Sequence, residues 1–359
     1  DRFGKIREAA TPDGMHHWLE RKDQLGRTTE VLNDEETSVV TCWSAEGVPM
    51  CLRSGDLVEN TTLQGHLVAR KMSTLSGSSS SFTYEYDDLF RCTTIQPTIE
   101  QSVTEPIQVS YDERRGHIAT INGFQWARDA STSRCQGHGM MYETSKADEH
   151  RQIVSRKVIF GDARASLKIV RDKAGRPSES VLETWSSASS GGEKMQKTSR
   201  TFDAAGQLAS VEVTDQEPSS HRIQWNSDGR VEKVNDRMVE WSRGGSLKSF
   251  LDSQYVVDST GWVSKRNATS FAYDGLGRLV KASLGSQTFR FTYDLQNRVI
   301  RIQKSSAAEI METIHLYYAY ISAPNSVSHF SRNSKISTIF YDDDQVPFAM
   351  QAEDGTRYG

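Results

Sequence analysis

The chain has 359 residues and a formal net charge of −4, with 47 acidic side chains against 43 basic ones. This balance lacks the lysine and arginine excess that neutralises phosphates, so it argues against nucleic-acid binding. Hydrophobic residues make up only 36% of the sequence, and no apolar run approaches the roughly 18 residues of a spanning helix. Plentiful Tyr, Phe and Trp favour β structure.

The first segment, residues 1–70, contains worn copies of a short turn phrase: Asp, two residues, Gly and a basic residue. It occurs at Asp1–Ile6 and again at Asp23–Arg27. Further on, Cys42 and Cys51 bracket a short loop rich in turn residues. A disulfide across a hairpin and two buried free thiols are both compatible with this spacing. No Cys or His spacing suits zinc, and no cofactor is expected.

Two tripeptides are acceptors for N-linked glycans, Asn60-Thr61-Thr62 and Asn267-Ala268-Thr269, and they indicate a secreted surface. The second segment, residues 71–122, opens with Ser76–Ser81, which we expect to be a flexible turn or loop tip. A strand at Phe82–Tyr86 then leads into a turn phrase, in which Tyr86 and Asp87 precede Arg91.

The third segment, residues 123–160, loses the pattern and is predicted to be an irregular insertion. A short amphipathic helix is possible around Ala147–Val158. Gly137-His138-Gly139 could suggest catalysis, but a surface loop histidine is the better interpretation.

The fourth segment, residues 161–359, restores the phrase and shows it most clearly at Tyr273–Leu279 and Tyr293–Val299. Apolar and polar residues alternate on both sides of each turn, which predicts strand–turn–strand units. Asp can bond its own backbone two residues on, and Gly or Asn supplies the left-handed conformation that reverses the chain. The repeat residues predicted from this pattern are Tyr86, Asp87, Arg91, Phe202, Asp203, Gly206, Tyr273, Asp274, Gly277, Arg278, Tyr293, Asp294, Arg298, Tyr341 and Asp342.

Successive phrases from Trp225 to Tyr293 lie roughly 16 to 20 residues apart, which is too short for a separate core in each unit. Neighbouring units must therefore stack and bury their aromatic residues on each other. The sequence predicts an all-β protein built as a continuous, spiralling antiparallel sheet. Three positions depart from the pattern, because Trp225 and Trp241 replace Tyr and Val257 replaces an aromatic residue.

The phrase YDGLGR at Tyr273–Arg278 resembles the YD repeat of the Rhs/YD superfamily. Within that superfamily the chain is similar to the teneurins, through the order of YEYDDLFRCTTIQP, FDAAGQLASVEV, YDGLGRLV and FYDDDQVPFAM. The resemblance implies a large hollow β-barrel shell, of which this chain is the C-terminal part, truncated before the Rhs core. It also implies the extracellular part of a single-pass type II membrane receptor, with no membrane insertion in this segment.

The same resemblance implies the partners. They are a latrophilin-type adhesion receptor, other teneurin chains, a homodimeric second copy and the remainder of the shell itself. An enzyme is not expected, because GxSxG, HExxH and P-loop motifs are absent from the sequence, and Asp342-Asp343-Asp344 fits a solvated acidic turn. The alternative function is the casing of a microbial Rhs/Tc-type toxin. Glycans and a Cys42–Cys51 disulfide would favour the receptor.

Overall fold

The computed structural model describes residues 8–10, 17–22, 25, 27–33, 37–45, 47, 49–54, 56–114, 116–146, 152–185, 193–215, 217–242, 244–258, 261–274, 277–294, 296–307, 309–342 and 344–358. Asp1–Ile6 lies outside these ranges, and so does most of the turn at Asp23–Arg27. Throughout the described ranges, every helix or strand assigned is a β-strand, which confirms the all-β prediction.

In the described part of the chain, twenty-three strands form the first sheet. In chain order they are β1 (Glu8–Ala10), β2 (His17–Lys22), β3 (Thr28–Asn33), β4 (Thr37–Trp43), β5 (Pro49–Ser54), β6 (Leu57–Gln64), β7 (Leu67–Leu75), β8 (Ser78–Tyr86), β9 (Cys92–Ile99), β10 (Ser102–Val103), β11 (Ile107–Tyr111), β12 (Ile118–Ile121), β13 (Phe124–Arg128), β14 (Thr132–Gly137), β15 (Met140–Lys146), β16 (Ile153–Phe160), β17 (Ala163–Arg171), β18 (Pro177–Trp185), β19 (Lys194–Phe202), β20 (Leu208–Thr214), β21 (Ser219–Trp225), β22 (Val231–Val234) and β23 (Arg237–Met238).

Thirteen strands among the described residues form the second sheet. They are β24 (Glu240–Trp241), β25 (Leu247–Phe250), β26 (Ser253–Val257), β27 (Val263–Arg266), β28 (Thr269–Tyr273), β29 (Leu279–Leu284), β30 (Gln287–Tyr293), β31 (Val299–Ser306), β32 (Glu309–Tyr317), β33 (His329–Arg332), β34 (Lys335–Tyr341), β35 (Pro347–Ala352) and β36 (Arg357–Tyr358). Antiparallel pairing between consecutive strands recurs along the chain, as in β28–β29 and β30–β31.

The chain divides into two compact units. Unit 1 comprises residues 1–109, 254–339 and 352–354, and unit 2 comprises residues 110–253, 340–351 and 355–359. This grouping differs from the four sequence segments, because strands that are distant in sequence pack against a common core.

Unit 1 has its core on strands β8, β9, β11 and β32–β34. Ile99 and Ile107 are fully buried there, and Phe82 is only 5% exposed. His329 is also fully buried, 5.9 Å from the ring of Phe82, and burial lowers its pKa to about 3. It is therefore a neutral core residue at physiological pH.

Unit 2 has a compact aromatic core. Phe124 and Phe340 are almost fully buried and lie 5.9 Å apart, and Phe348 packs edge-on against Phe124 and Trp126. Such edge-to-face pairs add about 0.5–1.5 kcal/mol beyond the area that they bury. Tyr142 completes the cluster from β15, stacked on Phe348.

These residues show that the predicted irregular insertion at 123–160 is wrong. Its described part forms the paired strands β13 to β16, and residues 153–158 of the proposed helix at Ala147–Val158 belong to β16. Residues 147–151 lie outside the described ranges. The strands are short, and polar turns such as Asp129–Ser131 interrupt the alternation that the sequence pattern needs.

The expected flexible tip at Ser76–Ser81 is much shorter than predicted. Ser76 and Gly77 alone make the turn, and Ser78–Ser81 begin strand β8. Ser80 and Ser81 are buried. The serine-rich run is therefore part of a strand. Its small side chains fit at positions where other residues pack closely against the strand.

Candidate functional site

The repeated turn at Asp274–Arg278 has a complete set of hydrogen bonds. Gly277 N–H donates to the Asp274 carbonyl at 2.9 Å, and Asp274 N–H donates to the Arg278 carbonyl at 3.0 Å. Asp274 Oδ1 accepts the Arg278 backbone N–H at 3.0 Å, and Oδ2 accepts Arg278 Nε–H at 2.7 Å. One carboxylate thus holds both the backbone and the side chain of the arginine.

Three further turns repeat this carboxylate–arginine geometry. Each joins the Asp to the Arg four residues on, at 2.5–2.7 Å, in the pairs Asp87–Arg91, Asp172–Arg176 and Asp294–Arg298. The arginine hydrogen bond is the main reason why the pKa values of Asp87 and Asp172 lie below normal. The Asp87 and Asp172 carboxylates are partly exposed, whereas that of Asp294 is fully buried. Exposed ion pairs add little net stability, so much of the value of the first two pairs lies in fixing the turn.

The predicted left-handed position is present in these turns. Its φ angle is +78° at Gly277, +82° at Gly206 and +62° at Asn297. Phe90 and Gln345 occupy the same position at +62° and +60°, where a side chain with a Cβ is strained. The turn geometry therefore persists even where its favoured residue has been lost.

At five turns, the Tyr or Trp at the aromatic position of the phrase hydrogen-bonds to the preceding turn. The Tyr hydroxyl or the Trp indole N–H donates to a backbone carbonyl of that preceding turn. The carbonyl belongs to the residue five positions after the one that occupies the Asp position of the preceding turn. The pairs are Trp225 to Leu208, Trp241 to Val231, Tyr273 to Val263, Tyr293 to Leu279 and Tyr318 to Val299, all at 2.8–2.9 Å. We call this series the carbonyl ladder.

The carbonyl ladder explains two of the three departures in the sequence. Trp225 and Trp241 use the indole Nε1–H where Tyr uses its hydroxyl, so the hydrogen bond is kept. Val257 has no polar hydrogen and cannot take this role. The sequence shows only that the aromatic recurs, and the acceptor carbonyl could not be identified from it.

Turn arginines also contact the aromatic residue of the following unit. The guanidinium carbon lies 4.2–4.9 Å from the ring centre in the pairs Arg176–Phe202, Arg278–Tyr293 and Arg298–Tyr318. A cation over an aromatic face contributes about 0.5–2 kcal/mol. Where Trp262 takes the arginine position, it packs instead on Tyr273 at 5.4 Å.

Asp342 corrects the expectation of a solvated acidic turn. It is only 8% exposed and its Oδ2 accepts the Tyr142 hydroxyl at 3.0 Å. Burial raises its pKa, although backbone N–H donors and Tyr142 oppose that shift. Asp343 lies outside the described ranges. The turn that follows Tyr341 therefore anchors the aromatic core of unit 2.

Cys42 and Cys51 lie directly opposite each other on β4 and β5. Both are free thiols. Cys42 is exposed and Cys51 is half-buried, so the expectation that both thiols are buried is wrong. Trp43 and Ser44 begin another turn of the repeat type, in which Gly47 N–H donates to the Ser44 carbonyl. The sequence suggested only a loop between the two cysteines.

The two glycan acceptors occupy different environments. Asn60 is half-buried in the middle of β6 and pairs across the sheet with Cys51 and Met72. Asn267 is exposed in the two-residue turn between β27 and β28, with a φ of +49°. Its Oδ1 accepts the Gln254 backbone N–H at 2.8 Å.

A cavity of about 220 Å³ in unit 1 brings four charged side chains together. Glu59 of β6 and Lys71 of β7 line it together with Asp294 and Arg298. Burial, followed by repulsion from Asp294, raises the pKa of Glu59 to about 7. Burial is the main cause that lowers the pKa of Lys71, and repulsion from the positive charge of Arg298 is the second. The sequence contains no sign of this cluster, because the Glu59–Lys71 pair and the Asp294–Arg298 pair are more than 200 residues apart.

Neither a metal centre nor a membrane helix is found in the described part of the chain. No three His, Cys, Asp or Glu side chains there come together in a way that could hold a metal ion. Over the same residues, no helix has the length and apolar character that crossing a membrane requires. His138, the histidine that could have suggested catalysis, is exposed and bonds the Asn122 carbonyl at 2.9 Å.

Aromatic–Asp turns that hold one another through a carbonyl ladder define a YD-repeat β-sheet protein, whose repeated residues build structure. Comparison with known proteins agrees with this class. The profile of the family described as Teneurin YD-shell matches residues 1–358, and the chain belongs to that family. It is a YD-shell segment of a teneurin. The shell lies on the extracellular side of the membrane and is a structural domain, as predicted.

Two relatives illustrate the similarity. Teneurin-1 of Caenorhabditis elegans is 65% identical over 366 residues, which cover 99% of this chain and 13% of that protein. Teneurin-4 of Homo sapiens is 23% identical over 301 residues, which cover 78% of this chain and 10% of that protein. The chain therefore spans only a small part of the relatives that it matches.

Among solved structures, the one described as TcdB2-TccC3-TEV aligns with 96% of this chain and 24% of its own, at 11% identity and a TM-score of 0.36. That score is too low to support an argument. The family assignment favours the receptor over the microbial toxin casing that the sequence had left open.

Proposed function

We propose that this chain is a stretch of non-enzymatic wall that keeps the shell of an adhesion receptor in a fixed shape. The receptor as a whole would use that shape in adhesion between cells, in neuronal development and in axon guidance. This part of the shell would expose surfaces to binding partners and would transmit force from one repeat to the next, without binding a cofactor.

One observation carries this proposal. Among the described residues from 152 to 233, not one side chain is buried, so β16–β21 form a sheet one layer thick with both faces partly open. Such a sheet cannot depend on a hydrophobic core. Within this stretch, the Trp225–Leu208 bond of the carbonyl ladder and the Asp172–Arg176 turn supply connections of the kind that a core would otherwise provide.

The partners proposed for the whole receptor are a latrophilin-type adhesion receptor, other teneurin chains and a second copy in a homodimer. The remainder of its own shell is a further partner, because this chain covers 13% of the length of its 65%-identical relative. The teneurin relationship supports this proposal, which assigns no contact residue in this segment.

The test uses the full-length receptor on the cell surface, with the ladder donors Trp241 and Tyr293 replaced in Trp241→Phe and Tyr293→Phe together. We expect loss of a protease-resistant shell and, with it, loss of aggregation with cells that display the partner. Trp241→Tyr with wild-type Tyr293 keeps a donor and should behave as wild type. Normal adhesion by a receptor whose shell has become protease-sensitive would refute the scaffold function.

We propose further that Asn267 and Asn60 carry N-linked glycans. Attachment at Asn267 Nδ2 leaves its Oδ1 free to keep the bond to Gln254, and the turn is exposed. Asn60 faces away from Glu59, because adjacent strand residues point to opposite faces. Glycopeptide mass spectrometry of the secreted ectodomain tests both sites, with Thr269→Ala and Thr62→Ala as matched controls. Unmodified asparagines at both sites in the wild type would exclude the proposal.

A further inference from the structure

Cys42 and Cys51 are nine residues apart in sequence but share one cross-strand position. The register of β4 and β5 pairs Thr41 with Leu52 and Cys42 with Cys51, and a β-bulge follows at Trp43. Opposed residues of an antiparallel pair have Cβ atoms about 4.5–5.5 Å apart. A disulfide needs about 3.5–4.5 Å, so a small shift of the two strands would bring the sulfur atoms into bonding range.

The environment of this pair is unlike that of the other two cysteines. Cys135 is fully buried, opposite Trp126 and Tyr142, and burial raises its pKa to about 12. Cys92 pairs with Tyr86, its thiol donates to the Thr94 carbonyl, and burial raises its pKa to about 11. Neither has a cysteine opposite it, so both serve as internal controls.

We propose that Cys42 and Cys51 form a dithiol–disulfide site across β4 and β5, with Cys42 exposed to solvent. Three observations carry this inference: the direct cross-strand register, the exposure of Cys42, and the extracellular location, where disulfides persist. The proposal does not depend on the adhesion partners.

The chemistry requires an oxidant that itself carries a disulfide, such as oxidised glutathione. The Cys42 thiol loses a proton, and its sulfur attacks one oxidant sulfur and expels the other as a thiolate. The Cys51 thiol then loses a proton and attacks Cys42 Sγ in the mixed disulfide, which expels the second thiolate. The S–S bond of the oxidant is broken and the Cys42–Cys51 S–S bond is formed. The two protons lost by the cysteines pass to the two expelled thiolates, so the oxidant is reduced to two thiols.

The cross-strand row formed by Cys42 and Cys51 continues to Asn60 of β6, which lies opposite Cys51. A bridge between Cys42 and Cys51 would fix β4 against β5 beside this acceptor. A glycan at Asn60 would project from the same face. Because the bridge lies at an exposed position, we expect dithiothreitol to reduce it without denaturant.

The experiment uses the full-length receptor from secreting animal cells, blocked with N-ethylmaleimide before lysis. Trypsin leaves both cysteines in one peptide, residues 28–53, so cleavage after Glu46 by a glutamyl endopeptidase is needed to separate them. We expect the two fragments to remain linked without reduction and to separate after dithiothreitol. Cys92 and Cys135 should be found unlinked.

Two results would overturn the proposal. One is N-ethylmaleimide on both Cys42 and Cys51 in the wild type, and the other is a link from either of them to a different cysteine. Cys42→Ser should make Cys51 fully reactive to maleimide. If that variant is not secreted, the wild-type digest alone decides the question.

Discussion

Gly277 satisfies two independent constraints. Its φ of +78° lies in the left-handed region, and a Cβ added there would lie 2.7 Å from Cζ2 of Trp262. The first constraint could be read from the sequence as part of a turn. The second depends on Trp262 of the preceding turn packing across this one, as Arg230 packs across Gly245 at the same 2.7 Å. The spacing of residues does not reveal this contact.

Gly277→Val should destabilise the β28–β29 hairpin by roughly 1–3 kcal/mol, since a β-branched residue is forced into a left-handed conformation. Gly277→Ala should show the added cost of the Trp262 contact when compared with Gly285→Ala. Gly285 has a φ of +58° and open space around the added Cβ. Hydrogen exchange of peptides from residues 269–284 gives the local unfolding free energy. Equal values for the two alanine variants would disprove the steric role of Trp262.

Glu59 makes the stability of unit 1 depend on pH. Its pKa in the folded state is about 7, above the ordinary value of 4.5, so the folded state binds this proton more tightly than the unfolded chain. The resulting stabilisation is complete below pH 4.5 and is lost as the pH rises through 7. Asp294 adds to the shift, whereas Arg298 and Lys71 oppose it.

We therefore expect the local stability around β6 and β7 to fall between pH 5 and pH 8, by up to about 3 kcal/mol. Glu59→Gln should remove most of this dependence and should be more stable than wild type at pH 8. Glu85→Gln, an exposed position on β8, is the control. The measurement is urea unfolding of the purified protein at each pH. A wild-type stability that rises over this range would contradict the assignment.

At the scale of the element, the repeated unit is a hairpin. Its aromatic residue makes its side-chain contacts with the neighbouring hairpin. Tyr293 ends β30 and pairs with Val299 across its own turn, but its hydroxyl bonds the Leu279 carbonyl of the previous unit. Arg278 of that previous unit lies over the Tyr293 ring. Each hairpin is therefore held by two contacts that lie outside it, which agrees with the inference that no unit could fold alone.

Tyr293→Phe should cost about 0.5–1.5 kcal/mol, the usual net value of one hydrogen bond, with a further penalty for the unpaired Leu279 carbonyl. Tyr255→Phe is the matched control, because the Tyr255 hydroxyl makes no hydrogen bond to another described residue and Arg266 lies over the ring. Thermal unfolding of both variants beside wild type provides the comparison. Equal effects of the two substitutions would mean that the ladder contributes nothing.

At the scale of the whole molecule, burial is distributed unevenly. Ile99, Ile107 and Phe124 lie in tightly covered cores, whereas β16–β21 contain no buried residue in their described positions. Local stability follows the amount of buried apolar surface around a strand. The low hydrophobic content noted in the sequence is thus explained by a large area of single-layer sheet.

Amides in β16–β21 should exchange with deuterium faster than those in β9 and β11 when the full-length ectodomain is measured by mass spectrometry. The reason is that sheet hydrogen bonds are better protected where side chains cover them. Equal or slower exchange in β16–β21 would show that another part of the receptor covers this sheet.

The sequence by itself determined the repeat, the all-β class and the local turn chemistry. An Asp, a Gly or Asn and an Arg act within five consecutive residues, so their hydrogen bonds can be inferred from spacing alone. It also supported the teneurin resemblance, because that rests on the order of short motifs.

Only the tertiary structure decided what lies between units and between distant strands. The Leu279 carbonyl accepts a hydrogen bond from Tyr293, and the charge of Asp294 acts on Glu59. The Tyr142 hydroxyl donates to Asp342, which is 200 residues away in sequence. The segment 123–160 became regular sheet for the same reason, since its short strands gain their stability from aromatic residues far along the chain. Such contacts depend on how strands are placed in three dimensions, and a linear pattern with a period of two residues carries no information about that placement.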